Sequence, residues 1–90
     1  LIIYHQANKF MTNFFTKKLK FSTDKTPYSL EKFGNTSSAS IPLTIVSEMF
    51  EKDKYPNRNN VIMAGFGAGL SWGTALLDLS KCEVSELIEY

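Results

Sequence analysis

Ninety residues, 43% of them hydrophobic and 13% aromatic, suit one small domain of modest stability, because a chain of this size buries only part of its surface. Ten basic and nine acidic side chains leave a formal charge of +1, so the overall field favours neither nucleic acid nor an acidic membrane surface as a partner. The single cysteine, Cys82, excludes an internal disulfide framework and fits a reducing, cytoplasmic setting.

The chain opens on Leu1-Ile2-Ile3-Tyr4, a short apolar run that reads as a strand already under way. It has neither an initiator methionine nor the basic flank of a signal peptide, so it is expected to be a piece of a longer protein. Helical spacing takes over from Ala7. Phe10 and Phe14, and Met11, Phe15 and Leu19, recur four residues apart, and the stripe they form is expected to face a core. Lys17, Lys18 and Lys20 crowd the last turn, where positive charge complements the carbonyl end of the helix.

Residues 21–27 read as a connection, and Tyr28 to Phe33 alternates apolar with polar residues as a short strand would. Beyond Gly34 a run of small residues, Asn35 to Ser40, leads into a second helix with Pro42 in its first turn. Ile41, Ile45, Val46, Met49 and Phe50 give that helix an apolar face, and it is expected to end near residues 52–54. After a turn-rich loop from Tyr55 to Asn60, Val61–Gly65 and Gly73–Leu79 read as two strands joined by a glycine-rich connection. The apolar stretch from Val61 to Trp72 is broken by glycines and too short to span a bilayer.

The order β-α-β-α-β-β predicts an α/β fold, a mixed sheet flanked by helices with its last two strands antiparallel. One domain over residues 1–79 and an acidic tail or short extra helix over residues 80–90 complete the organisation.

Few residues carry chemistry. His5 sits at the C-terminal end of a strand just before a helix, where open α/β sheets place ligand-binding groups, although local backbone hydrogen bonds would also account for it. Asn35 occupies the equivalent position after the second predicted strand; it reads either as the N-cap of the next helix or as a donor that joins His5 on one developing oxyanion. Gly65-Phe66-Gly67-Ala68-Gly69 lies between two strands rather than opening a helix, so it fails the structural test for a dinucleotide loop. It suits a hairpin, or a bare backbone N–H close to a substrate. Cys82 lies near Glu83 and Glu86, whose charges raise a thiol pKa, so it is a poor nucleophile. With one histidine and one cysteine in the chain, no cluster has metal-ligand spacing.

Three segments, taken in order, carry a family likeness: His5-Gln6-Ala7-Asn8, Phe33-Gly34-Asn35-Thr36-Ser37-Ser38-Ala39-Ser40, and Gly65-Phe66-Gly67-Ala68-Gly69-Leu70-Ser71-Trp72-Gly73. Together they resemble the C-terminal half of β-ketoacyl-acyl-carrier-protein synthase III over roughly Leu1 to Leu79. Elongating ketosynthases of the same superfamily use two histidines, whereas initiating synthases and chalcone synthases use histidine and asparagine, so Asn35 points to the latter. His-Gln-Ala-Asn and Leu-Ser-Trp-Gly resemble the bacterial synthases rather than the plant enzymes.

The resemblance implies a thiolase-like fold of two similar halves in five α/β/α/β/α layers, of which this chain is most of the second half. It implies an acyltransferase that initiates fatty-acid synthesis without a cofactor, from acyl-coenzyme A and malonyl-acyl-carrier-protein. His5 and Asn35 would be the catalytic donors to the malonyl thioester oxygen. The Ala68 N–H would contribute to the oxyanion hole of acyl transfer, Phe66 would lie near the catalytic cysteine, and Asn8 would line the pantetheine tunnel. That cysteine would come from the N-terminal half of the same enzyme, a homodimer when intact, so the isolated chain is expected to be inactive and prone to self-association.

Two positions depart from the family pattern. Ala68 replaces a glycine, which matters little for a backbone donor. Phe10 replaces an arginine that helps hold the phosphate side of the carrier or coenzyme, a role open here to Lys9 or the Lys17–Lys20 cluster. Two alternatives stand beside this reading: a sibling polyketide or aryl-chain ketosynthase, and a non-catalytic structural or interaction module of the same fold.

Overall fold

Period-2 alternation and a helical crossover together set the architecture of the chain, seen in a computed structural model that describes residues 1–67 and 71–89. Its strands are β1 (Ile2–Tyr4), β2 (Val61–Gly67) and β3 (Ser71–Leu77), and its helices α1 (Lys9–Lys18), α2 (Leu30–Phe33) and α3 (Ser40–Met49), with short 3₁₀ turns at Thr23–Lys25 and Ser37–Ala39. The sheet order is β1-β2-β3. β1 and β2 run parallel in the register Ile3↔Met63, which requires the long helical connection between them. β2 and β3 are antiparallel, from Val61↔Leu77 to Gly67↔Ser71.

The two faces of the sheet take different covers. Ile3 points to α3 and forms the core with Met49 and Val61, against which Ile41, Ile45, Tyr55 and Leu79 pack. Tyr4, one residue on, points to the opposite face and stacks on Phe15 of α1 at 6.1 Å. The mixed α/β architecture is therefore as expected. β3 is different: all seven of its residues are exposed, and Trp72 is 81% accessible. No helix among the described residues is long and apolar enough to cross a membrane.

Three expectations need correction. Tyr28 to Phe33 is not a strand: its second half is the single helical turn α2, held by Lys32 and Phe33 N–H bonds to the Ser29 carbonyl and by Gly34 N–H to the Leu30 carbonyl. Leu30-Glu31-Lys32 are good helix formers, and the backbone N–H of Ser29 goes to the Gln6 side chain rather than to a neighbouring strand. Over six residues the alternation was too short to outweigh these local preferences.

The apolar stripe of α1 is buried only in part: Met11 and Phe15 are half-buried, with Phe15 on Tyr4, while Phe10, Phe14 and Leu19 are exposed. Phe10 is 79% exposed and stacks on Phe14 at 6.5 Å, while Thr12 and Thr16 are buried. Their hydroxyls donate to the carbonyls four residues back, Asn8 and Thr12, which leaves the methyl groups to pack. Finally, α3 stops at Met49, short of residues 52–54. Arg58 seals this stop: its guanidinium donates to the carbonyl of Met49, at the helix end, and to those of Glu51 and Tyr55 in the loop that follows. Residues 80–89 form a turn and no helix.

Candidate active site

β1 ends at Tyr4, but its pairing runs one residue further, because the His5 N–H donates to the Ala64 carbonyl at 2.8 Å. By alternation His5 shares the face of Ile3, which α3 covers. Its ring therefore meets Ser40, the first residue of α3, with Nδ1 2.6 Å from Ser40 Oγ. The Phe66 ring stands perpendicular to the imidazole, with centroids 5.3 Å apart.

Asn35 is delivered by a sharp reversal. Gly34 closes α2 with φ 67° and ψ −159°, a conformation essentially confined to glycine. The Asn35 Oδ1 then accepts the Ser37 N–H at 2.9 Å, forming an Asx turn in which Ser37 itself takes φ 56°. The capping reading of Asn35 thus does not hold: the N-cap of the 3₁₀ turn is Thr36 and that of α3 is Ala39, neither makes a side-chain cap, and Asn35 stabilises the turn just before them instead.

His5, Asn35 and Phe66 line one open cavity of about 530 Å³, together with Ser37, Ser38, Ser40, Ile41, Gly65 and Gly67. The first turn of α3 opens at this cavity without an acidic residue, so the positive end of its dipole is uncompensated and favours negative charge there. Among the described residues the lining carries hydrogen-bond donors and hydroxyls but neither thiol nor carboxylate. Such a site can polarise a carbonyl or hold an oxyanion, and its described lining has no cysteine to carry an acyl group.

The other named residues lie apart. Asn8 caps α1, its Oδ1 accepting the Met11 N–H at 2.8 Å. Ala68 lies outside the described residues. Cys82 is exposed, its thiol on the Glu83 carbonyl and its N–H on the Leu79 carbonyl. No group of three metal-ligating side chains occurs among the described residues. Ser40 went unnoticed in the sequence, where it reads only as one more small residue before a helix. The signal for it lay in combining two patterns, since the strand period that turns His5 toward α3 also turns it toward the hydroxyl in that helix's first turn.

A family model described as the C-terminal part of 3-oxoacyl-[acyl-carrier-protein] synthase III matches residues 1–79. The chain belongs to this synthase III C-terminal family. Among similar proteins, β-ketoacyl-[acyl-carrier-protein] synthase III of Streptococcus gordonii is 40% identical over 79 residues, covering 86% of this chain and 24% of that protein. The Clostridium novyi protein of the same name is 43% identical over 76 residues, covering 84% and 23%.

Solved synthase III structures agree. That from Aquifex aeolicus superposes with a TM-score of 0.77 at 37% identity, covering 87% of this chain and 25% of that one. That from Thermus thermophilus gives 0.78 at 32% identity, covering 87% and 24%. The chain thus has the fold of the C-terminal part of a thiolase-like synthase III and spans about a quarter of the length of these relatives.

Proposed function

We propose that this chain is the C-terminal part of a condensing acyltransferase that joins an acyl group, carried as a thioester on a cysteine of the N-terminal half, to malonyl-acyl-carrier-protein. The observation that carries this reading is the shared cavity: His5 and Asn35 line it together, and among the described residues the lining offers donors but no thiol. Donors aimed at one oxygen are what decarboxylation of a malonyl thioester needs.

As the bond to the carboxylate breaks and carbon dioxide leaves, its electron pair moves into the thioester to form an enolate. His5 and Asn35 donate hydrogen bonds to the enolate oxygen. The enolate carbon then attacks the acyl-cysteine carbonyl, forming the new carbon–carbon bond and releasing the thiolate. In this reading the Ala68 N–H contributes to the oxyanion hole of that step, Phe66 flanks the thioester, and Asn8 borders the pantetheine path.

The reaction needs acyl-coenzyme A and malonyl-acyl-carrier-protein as substrates and no further cofactor. The N-terminal half, a second protomer and the carrier protein are its partners, in the cytoplasm. Lys17 and Lys18, exposed at the end of α1, suit an acidic carrier.

The test is malonyl-carrier decarboxylation and cysteine acylation by the intact enzyme carrying His5→Ala. Loss of the donor should slow decarboxylation by about 10²- to 10³-fold while acylation persists. Decarboxylation within a few-fold of wild type would overturn the reading.

A further inference from the structure

We infer that Ser40 is a positioning residue that fixes the tautomer of His5, holding the proton on Nε2. The inference begins with the two polar neighbours of Ser40 Oγ. The Gln6 N–H reaches it at 3.3 Å and can only donate, so one lone pair of Oγ is an acceptor there. His5 Nδ1 lies 2.6 Å away on another side.

A hydroxyl has one proton, and no carbonyl or carboxylate among the described residues accepts it from Ser40. If Nδ1 carried the imidazole proton, Oγ would accept twice and its own proton would be stranded in a side chain only 2% exposed. If Nδ1 is bare, Ser40 donates to it and every group is satisfied. The imidazole proton then lies on Nε2, the nitrogen opposite the buried contact, in a ring that lines the cavity.

Ser40 is itself held by a closed circuit of buried polar groups. Its carbonyl accepts the Thr44 hydroxyl at 2.8 Å, and Thr44 Oγ1 pairs with Ser29 Oγ at 2.6 Å. The Ser29 N–H donates to Gln6 Oε1 at 3.1 Å, and Gln6 Nε2 donates to the Tyr4 carbonyl at 2.8 Å. The circuit ties the end of β1 to the starts of α2 and α3 and fixes the Ser40 backbone beside the imidazole, and turning its hydroxyl away would also forfeit the bond from the Gln6 N–H. Hydrogen bonds that depend on one another in this way hold a side chain in place more firmly than any single contact.

The use of the Nε2 proton rests on the condensing reading above; the tautomer does not. His5 is the only histidine of the chain, so selective ¹⁵N labelling of histidine reports its two ring nitrogens without ambiguity. At a pH where the resonances show a neutral ring, the Nε2-protonated form should exceed the other by at least about fivefold, the weight of one hydrogen bond of ordinary net strength. In Ser40→Ala, folded by its backbone spectrum, the excess should fall toward parity.

If Ser40→Ala does not fold, Ser40→Cys, with a weaker donor of similar shape, should shift the ratio in the same direction. An unchanged ratio in the folded variant would overturn the assignment and leave the condensing reading intact, whereas a wild-type ring protonated on Nδ1 would overturn the assignment and also remove the donor that reading asks of His5. The reverse pattern, an Nε2-protonated ring in an enzyme that does not decarboxylate malonyl thioesters, would spare the tautomer and sink that reading.

Discussion

Asn35 Oδ1 accepts the Ser37 N–H at 2.9 Å, and this bond ties the oxygen end of the amide to the turn. The acceptor is spent on the turn, so the two N–H groups of the amide are left as donors. Asn35→Asp separates the two roles, because a carboxylate still accepts from Ser37 but has nothing to donate. In the intact enzyme this variant should keep its thermal stability and lose about 10²- to 10³-fold in malonyl-carrier decarboxylation. A variant that kept both would show that Asn35 serves the turn alone.

Gly34→Ala tests the reversal that delivers Asn35. A Cβ at Gly34 would meet nothing within 4 Å, so any cost comes from φ 67° and ψ −159° and not from a clash. Urea unfolding should show a loss of about 1–3 kcal/mol, the usual strain of a side chain in this region. A loss well below that range would mean that residues 34–36 relax to another path.

Much of this was legible in the sequence. A mixed sheet and its antiparallel last pair follow from short apolar runs, a helical interval and glycines, whereas the partner of β1 does not, and the cavity joins His5 with Asn35 across residues 5 to 35. What escaped has a common cause. Tyr28 to Phe33 was read by alternation, yet its backbone answers to Ser29, Gly34 and the distant Gln6 side chain. α1 was read by its phenylalanines, yet two self-bonded threonines turn inward. Period tells that a face exists; which neighbour covers it depends on contacts made far along the chain.

The exposed apolar surface of β3 should drive self-association. Trp72 and Leu76 are 81% and 67% accessible on an edge strand with no further partner among the described residues. Light scattering of the chain should report oligomers, and Trp72→Lys with Leu76→Lys should shift it toward monomer. A monodisperse wild-type monomer would contradict this.

Glu48 sets the acid stability. Burial pushes its carboxyl up, but hydrogen bonds from Lys32 and Lys54, each 2.7 Å, and their positive charge outweigh it, so its pKa lies below the ordinary 4.5. The folded state therefore holds this proton less tightly than the unfolded one. The stability contributed by the ionised carboxylate is full above pH 4.5 and is lost as pH falls through the lower, folded value. Glu48→Gln should flatten that acid limb. Both lysines are about half exposed, so removing either alone should cost about 1 kcal/mol or less. Lys32→Ala with Lys54→Ala strands a buried carboxylate and should cost on the order of 3 kcal/mol at neutral pH. Additive single losses in urea titrations would mean that Glu48 stays hydrated.

Arg58 should be the most costly surface-loop residue to lose. It is nearly buried, and its guanidinium donates to the Tyr55 carbonyl at 2.7 Å, Met49 at 2.6 Å and Glu51 at 3.0 Å, while its own carbonyl accepts the Leu79 N–H. One side chain thus closes the end of α3, and one backbone carbonyl fixes the chain leaving β3. Arg58→Ala leaves the Met49 and Tyr55 carbonyls without this donor, while Glu51 keeps the Lys54 N–H, and should lower stability by about 2–4 kcal/mol, since each bond to a charged group contributes about 1.5–3 kcal/mol and the loop recovers part through water. Arg58→Lys keeps the charge but not the fork, so it should restore less than half of the loss. Full rescue by lysine in thermal or urea unfolding would show that positive charge near the helix end, and not the geometry of the guanidinium, holds the loop.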